Sequence, residues 1–175
     1  MLNDTIQRIR DDIAETAIAA GRDPSEITIV AVTKNRSVEV INEAVMAGLV
    51  QFGENRVQEA AEKIPLVKGT VVWRLVGTLQ SNKAKTAANL FDWIDSVHSR
   101  KIAEALSVHA VKLGKTLRAL IQVNISGEDA KSGVEPPGTE ELLRYAASLP
   151  GIEVRGLMTI GSFQATPEKT RDEFR

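Results

Sequence analysis

Lys34 closes the apolar run Ile27-Thr28-Ile29-Val30-Ala31-Val32-Thr33-Lys34, and an amine in that place is the most conspicuous chemical group of the chain. A segment apolar on both faces reads as a parallel strand covered on both sides. In α/β folds ligands bind at the carboxyl ends of the strands, so the Lys34 amine would point at whatever occupies that mouth. The alternative is that Lys34 ends the strand and carries its ammonium into solvent over an apolar stem. Asn55 follows the next strand-like run and reads as a turn asparagine or a helix cap. Asn82 and Lys83 open a helix, where backbone N–H groups could meet an anion or the two side chains could cap the helix in solvent. Lys131 lies in the loop Ser126-Gly127-Glu128-Asp129-Ala130-Lys131-Ser132-Gly133, which is too long for a minimal strand-to-helix turn. Loops of that kind in α/β folds are often functional.

Other chemistries are excluded by what the chain holds. With no cysteine there is no disulfide, thiolate metal site or cysteine nucleophile, and a cytoplasmic setting is expected. The two histidines, His98 and His109, are too far apart in sequence to form a recognisable metal constellation. The run Gly77-Thr78-Leu79-Gln80-Ser81-Asn82-Lys83-Ala84 superficially imitates a phosphate-binding loop. Asn82 replaces its second glycine, however, and Ala84 has no hydroxyl for magnesium. A net charge of −1, with basic residues scattered among acids, asks for no nucleic acid. No apolar run approaches the roughly 20 residues needed to span a bilayer. The 175 residues, 43% hydrophobic and 26% charged, have the profile of one globular domain with its own core.

The elements that must position these groups alternate. A helix is expected from about Asp4 to Ala20, then the Lys34 strand, a helix from Ser37 to Gly48, and a strand over Leu49–Phe52. A helix from about Arg56 to Pro65, a strand from Thr70 to Val76, a helix opened by Ser81 and a strand from Phe91 to Val97 follow. Ser99 caps a helix ending at Gly114, before a strand from Leu117 to Ile125. A helix from Thr139 to Leu149, a sixth strand over Ile152–Ile160 and a helix begun by Thr166-Pro167 complete the pattern. Such alternation means right-handed βαβ units and a parallel sheet. Either a doubly wound sheet or an incomplete (β/α)₈ barrel fits, although Thr33-Lys34-Asn35-Arg36 lacks the glycine-rich turn of a doubly wound dinucleotide binder.

Five ordered segments carry a resemblance: Ala31-Val32-Thr33-Lys34; Gln51-Phe52-Gly53-Glu54-Asn55-Arg56-Val57-Gln58-Glu59; Trp73-Arg74-Leu75-Val76-Gly77-Thr78-Leu79-Gln80-Ser81-Asn82-Lys83; Val123-Asn124-Ile125 with Lys131-Ser132-Gly133; and Gly156-Leu157-Met158-Thr159-Ile160. Together they resemble the pyridoxal phosphate homeostasis protein family, single-domain relatives of the alanine racemase barrel. The resemblance implies a (β/α)₈ TIM barrel of the alanine racemase N-terminal type. It also implies that Lys34 binds pyridoxal 5′-phosphate (PLP) as a Schiff base, with its amine kept unprotonated by a partly desolvated pocket. Asn55 then matches a residue near the cofactor ring that orients the phenolic oxygen. Met158 matches a position close to the cofactor and is as well explained as barrel core. Asn82 would meet an anion, and Lys131 would be a second amine for free cofactor or a solvated loop lysine.

Two departures stand out against that family. Arg74 and Thr78 occupy positions where many relatives have histidine, so a neutral imidazole has no place there. In relatives the seventh and eighth strands supply the phosphate site, and the resemblance therefore makes residues 1–175 a single PLP-binding domain truncated after the sixth strand. The expected function is a PLP carrier in intracellular vitamin B6 homeostasis with little or no turnover, passing cofactor to PLP-dependent apo-enzymes. The alternatives are a racemase of the alanine racemase type or a fragment that binds nothing and acts by association. Racemisation needs a second base, classically a tyrosine, and Tyr145 falls in an expected outer helix where packing explains it.

Overall fold

The computed structural model describes residues 1–126, 132–162 and 166–174. Its elements alternate as the pattern requires: α1 (Leu2–Ala19), β1 (Ala31–Val32), α2 (Val38–Met46), β2 (Gln51–Glu54), α3 (Val57–Lys63), β3 (Val72–Leu75), α4 (Ala84–Leu90), β4 (Trp93–Val97), α5 (Arg100–Lys112), β5 (Leu117–Val123), α6 (Thr139–Ala147), β6 (Ile152–Thr159) and α7 (Pro167–Glu173). Caps read from the sequence are made at two helices: Ser99 accepts from the Ile102 amide, and Thr166 accepts from the Lys169 amide with Pro167 in the first turn.

The six strands are parallel and hydrogen-bonded in chain order, β1 through β6. A doubly wound sheet reverses its strand order at a switch point, so this order excludes it. What remains is a singly wound parallel sheet, each strand laid beside the one before it. Among the described residues β1 pairs only with β2, and β6 only with β5.

The sheet has two unlike faces. The row Leu75, Ile94, Ala119 and Val154 is in register across β3 to β6 and packs with Ile41, Ala60, Ala84, Ala88, Leu106 and Ala146 of the helices. The next row, Gly53, Arg74, Trp93, Arg118 and Glu153, faces the other way and is largely charged. The Arg74 guanidinium lies 4.1 Å from the Trp93 ring centroid and that of Arg118 5.6 Å. Arg74 also forms a two-pronged pair with buried Asp95, at 2.8 and 2.9 Å, and donates to Gln51 Oε1 at 3.0 Å. Burial pushes the Asp95 carboxyl up, against the opposing pull of Arg74.

β1 is much shorter than the apolar run predicts. Residues Pro24–Glu26 form a 3₁₀ turn whose Asp23 cap accepts from the Ser25 amide, and Ile27 N–H is used on Pro24 O. The second strand is displaced from Leu49–Phe52 to Gln51–Glu54 because Leu49 N–H closes the end of α2 on Ala44 O, just after Gly48 at φ 80°.

Candidate functional site

Parallel strands bring their carboxyl ends to one side of the sheet, and Lys34 stands there, two residues beyond β1. Thr33 still donates to Gly53 O at 2.9 Å, and Arg36 N–H then closes on Thr33 O at 3.0 Å. Lys34 and Asn35 are thus the central pair of a tight turn, with Asn35 in the left-handed region at φ 59°. Asparagine tolerates that conformation better than most residues. Lys34 is exposed and makes no hydrogen bond or ion pair among the described residues. This corrects the expectation of a partly desolvated amine, since the second position of a surface turn holds the side chain in water.

Asn55 follows β2 directly, half-buried, and its amide makes no hydrogen bond among the described residues. It is not the cap of α3, which is Arg56. Asn55, Arg56, Thr78, Gln80 and Lys83 line a polar cavity of about 540 Å³ between the loops that follow β2 and β3. Asn82 is exposed, in a 3₁₀ turn Ser81–Lys83 that precedes α4. Met158 stands on β6 opposite Gln122 and lines a separate apolar cavity of about 340 Å³ with Val123, Ile125, Pro136 and Leu157. Lys34 lines neither cavity. Lys131 lies outside the described residues.

The structure also joins residues to which the sequence pattern gives no partners. Thr78 Oγ1 donates to Ser132 Oγ at 2.7 Å and Gln122 Nε2 to Ser132 O at 2.9 Å, tying the segment after β5 across to the β3 loop. Gly133 is required there, because a Cβ would sit 2.5 Å from Asn124 N and φ is 145°. Beneath the Lys34 turn lies a buried ionic group. Glu54 is fully buried, accepts from Thr33 Oγ1 at 2.7 Å, and pairs with Lys63 Nζ at 3.1 Å. Lys63 also donates to Glu59 at 2.5 Å and to Thr33 O at 2.8 Å. Glu59 in turn accepts the Asn35 amide at 2.7 Å. The Lys63 bond and that amide hold the Glu59 carboxyl below the usual range. Burial opposes the Lys63 charge, but its bonds to Glu59 and Glu54 outweigh this and raise the ammonium.

Tyr145 is remote from these strand ends. Its hydroxyl donates to Glu104 at 2.5 Å and Arg100 stacks on its ring at 4.5 Å, joining α5 to α6 on the outer layer.

The sequence profile of the alanine racemase N-terminal domain family matches residues 6–175. The pyridoxal phosphate homeostasis protein of Escherichia coli K12 is 40% identical over 159 residues, covering 89% of this chain and 68% of that one. A solved protein from Bifidobacterium adolescentis, described as unknown, superposes with TM-score 0.92 at 34% identity, over 98% of this chain and 74% of its own. PipY of Synechococcus elongatus PCC7942, solved with PLP bound, gives TM-score 0.79 at 36% identity, over 93% of this chain and 76% of that one. The chain belongs to the alanine racemase N-terminal domain family and, within it, to the pyridoxal phosphate homeostasis proteins.

Proposed function

We propose that this chain is a PLP-binding protein of PLP homeostasis, with Lys34 as the residue that bonds the cofactor. The observation that supports this most is a primary amine at the carboxyl end of the first strand, unpaired among the described residues, in a chain 36% identical to a relative solved with PLP. The donors present suit the cofactor's groups. An aldehyde needs an amine free of other partners, which Lys34 is among the described residues, and a phenolic oxygen needs a donor, which the Asn55 amide, without a partner among them, offers. When bound, the cofactor would supply an electrophilic aldehyde, and Lys34 would be the residue that holds it, through its amine and with loss of one water.

The remaining assignments follow the same reading. Asn55 orients the cofactor, Met158 supports its apolar side, and Asn82 and Lys131 serve as accessory contacts for the anionic or free form. The six βα units are successive units of a (β/α)₈ barrel, and residues 1–175 act as one PLP-binding domain. The protein works in the cytoplasm, hands PLP to apo-enzymes and turns over little or no amino acid. Tyr145, committed to Glu104 and Arg100, is poorly placed to be a second base for racemisation.

The test is a visible spectrum with added PLP, borohydride reduction and peptide mapping, alongside Lys34→Ala. A band that maps to Lys34 and vanishes in the variant is expected. A folded protein with no such band, or one that maps elsewhere, overturns the assignment.

A further inference from the structure

The Lys34 side chain has no partner among the described residues, yet the peptide units on either side of it do. On one side Thr33 O accepts from Lys63 Nζ at 2.8 Å, and on the other Asn35 N–H donates to Glu59 Oε1 at 2.7 Å. Thr33 is further fixed through its hydroxyl, which donates to Glu54 Oε1 at 2.7 Å. The three ionic groups contact one another only through the Lys63 ammonium, which bridges the two carboxylates. Glu54 is fully buried, and its Oε2 has no hydrogen-bond partner among the described residues. Lys63 retains 11% of its side-chain exposure and Glu59 21%.

Burying a carboxylate is costly, and an unsatisfied oxygen adds to the cost. An apolar pair would hold β2 against α3 at lower cost, so packing alone does not account for Glu54. What an apolar pair would not supply is the set of directed bonds to Thr33 and Asn35. These matter because Asn35 is a non-glycine residue in the left-handed region, a conformation that persists only where surrounding contacts fix it.

We propose that Glu54, Glu59 and Lys63 are positioning residues that clamp the Thr33-Lys34-Asn35 turn and so aim the Lys34 amine. The inference rests on the proposed role of Lys34 for its chemical consequence, but its structural part stands without it. A nucleophile held at a fixed angle reacts faster than one on a loose turn, because orientation has already been paid for in folding.

The test uses the whole chain and the variants Glu59→Ala, Glu59→Gln, Lys63→Ala and Lys63→Arg. The first readout is amide hydrogen exchange at Asn35, which needs no cofactor. The second is the rate of imine formation between Lys34 and PLP, set against the affinity for pyridoxine 5′-phosphate, which lacks the aldehyde. Glu59→Ala is expected to speed Asn35 exchange by about tenfold, the worth of one hydrogen bond to a charged group, with exchange in β5 unchanged. Imine formation slows by a similar factor while pyridoxine 5′-phosphate binds as before. Glu59→Gln keeps an acceptor but not the charge, so it falls between wild type and Glu59→Ala, and Lys63→Arg recovers much of what Lys63→Ala loses.

Unchanged Asn35 exchange in a folded Glu59→Ala variant overturns the clamp. Faster exchange with an undiminished imine rate overturns the aiming role, and so does loss of folding in all the variants, which would make the cluster structural only. A wild-type chain that forms no imine at Lys34, while Asn35 exchange still responds, sinks the cofactor reading and leaves the clamp standing.

Discussion

Gly77 lies hard against the backbone of Asn55: a Cβ on Gly77 would sit 2.2 Å from the Asn55 carbonyl oxygen and 2.7 Å from its Cα. Backbone cannot swing aside as a flexible side chain can. Gly77→Ala is therefore expected to destabilise the fold by about 1–3 kcal/mol, the usual cost of overpacking, and to displace Asn55. Urea denaturation gives the first quantity and the Asn55 amide chemical shift the second. Gly53→Ala is the control, since the three atoms nearest its Cβ would be valine methyl groups, at 3.1 to 3.4 Å. A Gly77→Ala protein as stable as wild type with an unmoved Asn55 signal would contradict the packing.

The Arg74–Asp95 pair makes a second prediction. Both partners are buried, and Arg74 holds Asp95 with two bonds. Arg74→Ala leaves the Asp95 carboxylate alone and should cost about 3–5 kcal/mol. Replacing both, as in Arg74→Met with Asp95→Leu, should restore most of that loss. A double-mutant cycle by chemical denaturation measures the coupling.

Acidity should loosen the Lys34 turn in a defined direction. The folded protein holds the Glu59 carboxyl below its ordinary range, so the stability it contributes is fully present above the ordinary glutamate value and is lost as pH falls through the depressed one. Lys63 is raised, so its contribution persists through neutral pH and is lost only above the ordinary lysine range. Asn35 amide protection, corrected for intrinsic exchange, should stay flat through neutral pH and drop on the acid side. A drop centred at or above the ordinary glutamate range would contradict the Glu59 assignment.

Lys34→Ala separates chemistry from folding. The side chain is exposed and unpartnered among the described residues, so the substitution should change stability by less than about 0.5 kcal/mol while abolishing covalent uptake of PLP. Thermal melts and borohydride trapping report the two independently.

The sequence shows the βα alternation and the place of Lys34 because both rest on signals local in the chain: apolar runs, glycine stops and the Ser99 and Thr166 caps. Strand lengths were harder. Ile27 to Val30 are as apolar as Ala31 and Val32, and only the neighbouring 3₁₀ turn and the β2 register decide which residues pair. The choice between a doubly wound and a singly wound sheet needs strand order, which local pattern does not carry. The charged row was hidden for the same reason, since Arg74 and Trp93 meet only through the register of β3 with β4. Glu54 is a charged residue between Gly53 and Asn55, and nothing local in the chain marks it as buried. Its burial depends on Lys63, nine positions away on α3, and on Thr33, 21 positions back. Asp23-Pro24 carries the local signature of a capped turn, an acidic cap followed by proline at the first position.

Backbone pairing is unevenly spread over the sheet. β5 and β6 are matched from Leu117↔Ile152 to Val123↔Thr159, whereas β1 offers only Ala31↔Phe52 and Val32↔Gly53 before its turn begins. Sparsely laddered segments are the ones that open most readily in a folded protein. The strand leading to Lys34 can thus come away while the rest of the sheet stays zipped. Exchange of the β1 amides is then timed by a brief local breath rather than by the lifetime of the whole fold.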